Sequence, residues 1–179
     1  MSSPEQLSRR FHFGLVAVAL LAAGGCVFQP MYAQTPLFGS GPSLRDALRN
    51  VEVASIDGRI GNELRNDLIY ELTGGDGNQI DAPYRLTLVA DVSSFNPIID
   101  TESGRPVVQM VSFDVTYKLH DVVADRIVLS EQALARVSLD RSQQRFANLR
   151  AVRDAENRAA KVVAEQIRSR LASFFLTRT

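Results

Sequence analysis

Apolar and polar residues alternate with a period of two in four stretches of the chain, which is the pattern of β-strands that have one covered face. The pattern is clearest where Val111, Phe113 and Val115 alternate with Ser112 and Asp114. Such alternation is typical of an antiparallel sheet. The four predicted strands cover residues 51–56, 84–95, 107–119 and 127–139.

A helical period appears between the first two predicted strands. Apolar residues recur every four positions from Ile60 to Leu72, which is the spacing of one face of an α-helix. The pattern ends at Gly74, and glycine is a common helix stop. The sequence therefore predicts a helix from Gly61 to Thr73.

A longer helix is predicted from about Leu149 to Phe175, at the end of the chain. Its apolar stripe consists of Leu149, Val152, Ala159, Val163, Ile167, Leu171 and Phe174. The predicted elements then follow the order β-α-β-β-β-α. This order favours an α+β two-layer sandwich, in which a four-stranded, mostly antiparallel sheet carries two helices on one face.

The first 25 residues have the organisation of an export signal. Arg9 and Arg10 precede an apolar run that ends at Ala23, and small residues follow it. The run is too short for a membrane-spanning helix, which needs ~20 apolar residues. Residues 21–26 (LAAGGC) resemble a bacterial lipobox, although Ala23 stands where that motif usually has leucine. The alternative is a plain secretory signal with an accidental cysteine.

The lipobox resemblance implies that Cys26 is the lipid attachment site and the first residue of the mature chain. Acyl chains on Cys26 would hold the protein on a membrane without a spanning helix. Val27 follows the cysteine, and the lack of aspartate there favours the outer membrane. We therefore predict a signal peptide over 1–25, a lipidated N-terminus and tether over 26–45, and a folded domain over 46–179.

Composition and charge narrow the possible functions. Apolar residues make up 45% of the 179 residues, enough for the core of one domain, and the single cysteine excludes an internal disulfide. Lysine plus arginine equal aspartate plus glutamate at 20 each, which argues against a general nucleic-acid binder. The charges are segregated, since residues 136–179 contain ten basic and four acidic residues.

Few residues are suited to catalysis. The predicted mature chain has one histidine, His120, beside Asp121 at a predicted strand end, where a surface role is the commoner one. Asp100 and Glu102 lie in a turn-rich loop, where solvated carboxylates are common. The sequence contains no HExxH motif, phosphate-binding glycine loop or EF-hand loop. We therefore expect neither an enzyme nor a metal site.

Five segments resemble the LptE family of lipopolysaccharide-assembly lipoproteins, in particular its shorter alphaproteobacterial members. The first departs from the family pattern at Val27 and Met31. The five segments follow the family's order and spacing over the whole mature chain. They are residues 25–32 (GCVFQPMY), 59–68 (RIGNELRNDL), 84–88 (YRLTL), 117–121 (YKLHD) and 146–155 (FANLRAVRDA).

The resemblance implies a function as well as a fold. It implies a lipid-anchored protein on the periplasmic side of the outer membrane. Such a protein binds and plugs the LptD β-barrel 1:1, assists its assembly, and helps lipopolysaccharide reach the outer leaflet without catalysing a reaction. No cofactor is implied apart from the lipid on Cys26, with lipopolysaccharide as the transported ligand.

The resemblance also implies lipopolysaccharide-binding residues. Family members have basic residues at the tip between the second and third strands and at the start of the last helix. These positions correspond to Arg105 and Arg150, with Arg145 and Arg153 as weaker neighbours. Guanidinium groups suit the phosphates of this anionic amphiphile, although each arginine is equally compatible with a solvated surface charge.

Two alternatives stay open at the level of sequence. One is an envelope lipoprotein that faces the periplasm and binds a ligand or polymer without a barrel partner. Stable co-purification with a large barrel protein would distinguish it from the first hypothesis. The other is an enzyme that acts on envelope lipid or glycan, for which His120 and Asp121 are the best candidate pair.

Overall fold

Seven helices and strands make up the part of the chain that the computed structural model describes, residues 43–99, 101–102, 104–142 and 144–177. The predicted order is confirmed, with one additional helix at the start. The signal, Cys26 and the tether as far as residue 42 lie outside the described residues. In chain order the elements are α1 (Leu44–Arg49), β1 (Val51–Val53), α2 (Arg59–Thr73), β2 (Tyr84–Ile99), β3 (Pro106–Asp121), β4 (Arg126–Asp140) and α3 (Arg145–Thr177).

The four strands form one sheet in the order β1-β2-β3-β4. β1 runs parallel to β2, whereas β2, β3 and β4 are antiparallel neighbours, so the predicted mostly antiparallel sheet is confirmed. The tight turn between β3 and β4 explains their pairing. In this turn Asp121 Oδ1 accepts a hydrogen bond of 3.0 Å from the Ala124 backbone N–H, and Asp125 has a positive φ of 47°. Aspartate tolerates this left-handed conformation better than most residues.

One face of the sheet forms the core with α2 and α3, as predicted. Leu64 and Leu68 of α2 are fully buried, as are Phe113 and Leu119 of β3. Three buried alanines near the middle of α3 belong to this core, where they add little volume. These alanines are Ala159, Ala160 and Ala164.

The short helix α1 was not predicted. Its N-terminus carries a reciprocal capping box, in which Ser43 Oγ accepts from the Asp46 N–H at 3.3 Å and Asp46 Oδ2 accepts from the Ser43 N–H at 3.2 Å. Such a box satisfies two backbone donors that would otherwise be unpaired. Leu48 is buried and ties the helix to the core. Six residues are too few to show a helical period, so the pattern of apolar residues did not reveal this helix.

Two elements extend beyond their predicted bounds at the same place. β2 continues to Ile99 instead of ending near Phe95, and α3 begins at Arg145 instead of Leu149. The extra residues of β2 are held by pairing with β3, where Ile98 lies opposite Val108, and the ladder is irregular around Pro97. Proline is tolerated on edge strands and at bulges, so the strand continues although its alternation stops.

The two ends of this sandwich are named for the connections found there. The hairpin end is where β2 leads into β3, with Ile99 opposite Pro106; β4 finishes and α3 begins at the same end. The turn end holds residues 122–125 between β3 and β4, and there Tyr84 of β2 stacks edge-on against Phe175 of α3 at 5.2 Å between ring centroids. Of the helices in the described ranges, none has both the length and the apolar character needed to span a membrane.

Candidate functional site

Four arginines singled out in the sequence share the hairpin end. Arg105 immediately precedes β3, whereas Arg145, Arg150 and Arg153 lie in the first turns of α3. The two segments meet because β4 pairs with β3 as far as Asp140 opposite Val108, and four residues then lead into α3. The backbone N–H of Arg141 extends this junction by donating to the Val107 carbonyl at 2.8 Å. The fold thus places Arg105 at the same end as three arginines that lie 40 to 48 positions later in the sequence.

The charges of these four arginines are not neutralised by neighbouring side chains. All four are exposed, and within the part of the chain that the structure describes none of them forms a side-chain hydrogen bond or an ion pair. Arginines near the α3 midpoint and in α2 differ. Arg158 binds Asp154 at 2.9 Å, and Arg59 of α2 binds Glu156. These four arginines outnumber the described carboxylates of the same end, Glu102 and Asp140, so the hairpin end carries a net positive charge that attracts anions.

The start of α3 strengthens this charge. Its first turn contains no acidic residue, and Arg145 stands at the first position. The partial positive charge of a helix N-terminus favours anions and disfavours a cation at this position. Arg145 thus lies where it costs stability in isolation, and a bound anion would relieve that repulsion.

Large apolar side chains are exposed beside these arginines. On α3, Phe146 is 83% exposed and Leu149 is 50% exposed. Apolar residues on the β2–β3 hairpin are exposed at the same end, and Phe95 among them lies on the face of the sheet opposite the helices, since the preceding pair, Ser94 and Val111, is on the core side. We call the whole set the apolar strip. Its members are Phe95, Ile98, Ile99, Val107, Phe146 and Leu149.

The assignment of Leu149 to the buried stripe of the last helix was wrong. In this part of α3, Ala155 and the half-buried Val152 pack onto Val111 and Leu139. Leu149, one turn before Val152, is 50% exposed and does not belong to this contact. Sequence reasoning did not single out Phe146, Leu149 or the hairpin residues as functional. The signal available was their persistence as large apolar residues where the strand alternation had already stopped.

Two members of the apolar strip and two of the arginines share one exposed face of α3. Phe146, Leu149, Arg150 and Arg153 follow the spacing i, i+3, i+4, i+7, which places them on the same helix face. All four are exposed in the structure. A single ligand that lies along this face would meet both guanidinium groups and apolar side chains.

A shallow groove beside the second half of α3 is a weaker candidate. Its arginine, Arg170, is already bound through Nε and Nη2 to the two carboxylate oxygens of Glu131 at 2.6 Å each. Tyr117 completes the cluster, and burial followed by the charge of Glu131 raises the pKa of its hydroxyl to about 12. The cluster thus satisfies its own charges and fastens α3 to the sheet. The groove is lined by Val162, Glu165, Gln166, Ser169, Arg170 and Ser173.

The candidate catalytic residues have structural partners at the turn end. His120 Nε2 lies 3.3 Å from Asp125 Oδ1, across the turn, whereas Asp121 is engaged with the Ala124 backbone. The structure therefore does not join His120 and Asp121 as a pair. Asp100 is outside the described residues. In residues 43–99, 101–102, 104–142 and 144–177, no group of three or more histidine, cysteine, aspartate or glutamate side chains is placed to hold a metal ion.

Comparison with known proteins gives one family and several related folds. A family model described as LptE, lipopolysaccharide-assembly, matches residues 48–171 of this chain. This range begins in α1 and ends in α3, so it includes the whole sheet and all four arginines. No curated protein matches the chain.

Solved structures support the same fold. A crystal structure of a candidate lipoprotein from Caulobacter crescentus CB15 is 25% identical, with 73% of this chain and 94% of that chain covered and a TM-score of 0.59. The rare lipoprotein B from Shewanella oneidensis is 11% identical over 71% of this chain and 96% of its own, with a TM-score of 0.53. A minor lipoprotein from Acinetobacter baumannii is 12% identical, with coverages of 70% and 92% and a TM-score of 0.52. At these identities the last two comparisons concern the fold alone.

Proposed function

Because the chain belongs to the LptE family of lipopolysaccharide-assembly proteins, we propose that it is an outer-membrane lipoprotein that binds and plugs an LptD-type β-barrel. In this role it assists assembly of the barrel and the delivery of lipopolysaccharide to the outer leaflet. The proposal has three parts: a lipid anchor, a barrel partner and a contact with lipopolysaccharide.

The observation that carries the proposal is the convergence of Arg105, Arg145, Arg150 and Arg153 at the hairpin end. Lipopolysaccharide carries phosphates close to its lipid, and guanidinium groups bind phosphate through paired, charge-assisted hydrogen bonds. The four arginines are exposed and are not bound by other described side chains. This end is therefore suited to an anionic ligand without any catalytic group.

The face of the sheet opposite the helices is consistent with a protein partner. Val89 is 75% exposed and Leu134 is 40% exposed on this face, among polar side chains such as Asp114 and Lys118. A mixed polar and apolar face of this kind suits contact with a surface that is itself partly polar, as a barrel lumen is. Membership of the LptE family supports an LptD-type barrel as that partner.

Residues near the N-terminus support the proposed lipid anchor. The lipobox-like residues before Cys26 and the absence of aspartate at position 27 support acylation and outer-membrane location. Buried acyl chains contribute ~0.8 kcal/mol per CH₂, and two or more chains give stable attachment. The anchor would keep the folded domain beside its partner in the periplasm.

The proposal is tested by extracting the full-length protein, tagged at its C-terminus, in mild detergent from its native envelope. Mass spectrometry then identifies co-purifying proteins and the N-terminal peptide. We expect a barrel of the LptD type in near-stoichiometric amount and an acylated Cys26. An acylated Cys26 without any barrel would contradict the plug function and favour the envelope lipoprotein that acts without a barrel partner.

A further inference from the structure

We infer that the apolar strip at the hairpin end binds the fatty acyl chains of lipopolysaccharide while the adjacent arginines bind its phosphates. The inference rests on the proposed function and adds to it the part of the ligand that this end recognises. A site for the saccharide alone would need the arginines and polar groups but not the strip.

Exposure of the strip is costly unless a ligand or partner covers it. Six large apolar side chains are exposed at one end of the sandwich, on the β2–β3 hairpin and on the first turns of α3. Isolated exposed apolar residues are ordinary, but contiguous patches with a polar rim mark binding surfaces. Phe146 is the clearest case, since 83% of it is exposed although it stands in the first turn of α3.

The order of side chains on α3 fits an amphiphile. Phe146 and Leu149 share one exposed face with Arg150 and Arg153, so apolar and cationic groups lie within one or two helical turns of each other. In lipopolysaccharide the phosphates and acyl chains are likewise attached to the same small saccharide. The protein therefore presents both kinds of group close together on one surface, as the ligand does.

The charge of the neighbouring residues distinguishes this surface from other exposed apolar residues. At the turn end, Val123 is 86% exposed, but Asp121 and Asp125 flank it. An anionic amphiphile is repelled by those carboxylates and attracted by the arginines of the hairpin end. Charge complementarity thus assigns the anionic lipid to the apolar strip and not to the turn end.

Photo-crosslinking in intact cells tests the contact. Benzoyl-phenylalanine is introduced into the full-length protein at Phe146 or at Leu149, with Val123 as the equally exposed control at the turn end. A further variant carries the probe at Arg105. We expect adducts with lipopolysaccharide from positions 146 and 149, attached to a fatty acyl chain, and none from position 123.

The outcomes distinguish failure of this inference from failure of the proposed function on which it rests. Adducts from Arg105 but not from Phe146 or Leu149 would overturn the inference and leave a lipopolysaccharide-binding end intact. Adducts from Phe146 and Leu149 with phospholipid or protein only would also overturn it. If none of the positions, Arg105 included, captured lipopolysaccharide and no barrel co-purified, the proposed function itself would fail.

A binding measurement provides the second test. The full-length protein in nonionic detergent is titrated with lipopolysaccharide and with its fully deacylated counterpart, which keeps the saccharide and phosphates. Phe146→Ser with Leu149→Ser should weaken binding of the acylated ligand about tenfold or more and leave the deacylated ligand unaffected. The matched control is Ile80→Ser with Val123→Ser. Equal effects on both ligands, or none on either, would contradict the inference.

Discussion

Gly61 and Ile56 are so close that a Cβ atom on Gly61 would lie 2.7 Å from Ile56 Cγ2. Alanine normally stabilises a helix by ~1 kcal/mol relative to glycine. Here the added methyl group forces the buried Ile56 to move, which costs ~1–3 kcal/mol. We expect Gly61→Ala to lower the free energy of unfolding, whereas Asn62→Ala, at the exposed neighbouring position, leaves it equal or higher. Urea denaturation of both variants measures the difference, and a stabilised Gly61→Ala would contradict it.

The same helix shows what local pattern predicts well. Its four-residue apolar period and its glycine stop placed the end at Thr73, where the structure has it, with Gly74 in the left-handed conformation at φ 73°. The period is reliable because both its repeat and its stop are local properties of the chain. The contact of Gly61 with Ile56 depends on the path of the preceding loop, which no period encodes.

Asp67, on the same helix, provides a pH-dependent prediction. Its pKa is raised, chiefly by burial and then by the charges of Glu63, Glu71 and Glu165, which outweigh Lys161. A raised pKa means that the folded state favours the protonated carboxyl. The stabilisation is therefore present below the pKa of the unfolded chain and is lost as pH rises through the folded value.

Asp67→Asn should consequently raise stability near neutral pH. We expect a gain below about 1 kcal/mol, because the carboxyl keeps part of its solvent shell. The gain should shrink as pH falls through the raised pKa of Asp67 towards the unfolded-state value of about 4. Thermal unfolding of the variant and the parent between pH 3.5 and 7.5 measures it, with the exposed Asp57→Asn as control. A gain that stays constant over this range would argue against a titration effect.

Reversing the charge of arginines at the hairpin end should weaken ligand binding without unfolding the protein. Arg105→Asp with Arg150→Asp reverses two exposed charges, so lipopolysaccharide should bind about tenfold more weakly or worse. The barrel should still co-purify, because neither residue lies on the open face of the sheet. The control, Arg45→Asp with Arg126→Asp, changes the net charge equally at two exposed positions away from the hairpin end and from the open face of the sheet. Unchanged binding in the first variant would show that other groups hold the phosphates.

The candidate site was predictable only in part. Comparing motifs with a family pattern identified Arg105 and Arg150, and the structure brings them to one end. The apolar strip was missed because Leu149 fits the helical period of the core and the hairpin residues look like an ordinary strand end. These residues are exposed because α3 and the hairpin extend past the packed part of the sandwich. How far they extend depends on the assembled fold, not on the local sequence.

The lipobox-like cysteine, Cys26, leads to a prediction about the location of the protein. Cys26→Ala removes the only thiol that can accept the diacylglyceryl group, so the domain should fold but be released from the membrane or keep its signal uncut. Val27→Asp is the matched control, since it keeps the thiol and should shift the acylated protein towards the inner membrane. Fractionation of envelopes, with mass spectrometry of the N-terminal peptide, measures both variants. A Cys26→Ala protein that still fractionated as a lipidated outer-membrane protein would refute the lipobox assignment, because the lipid would then be attached through another residue.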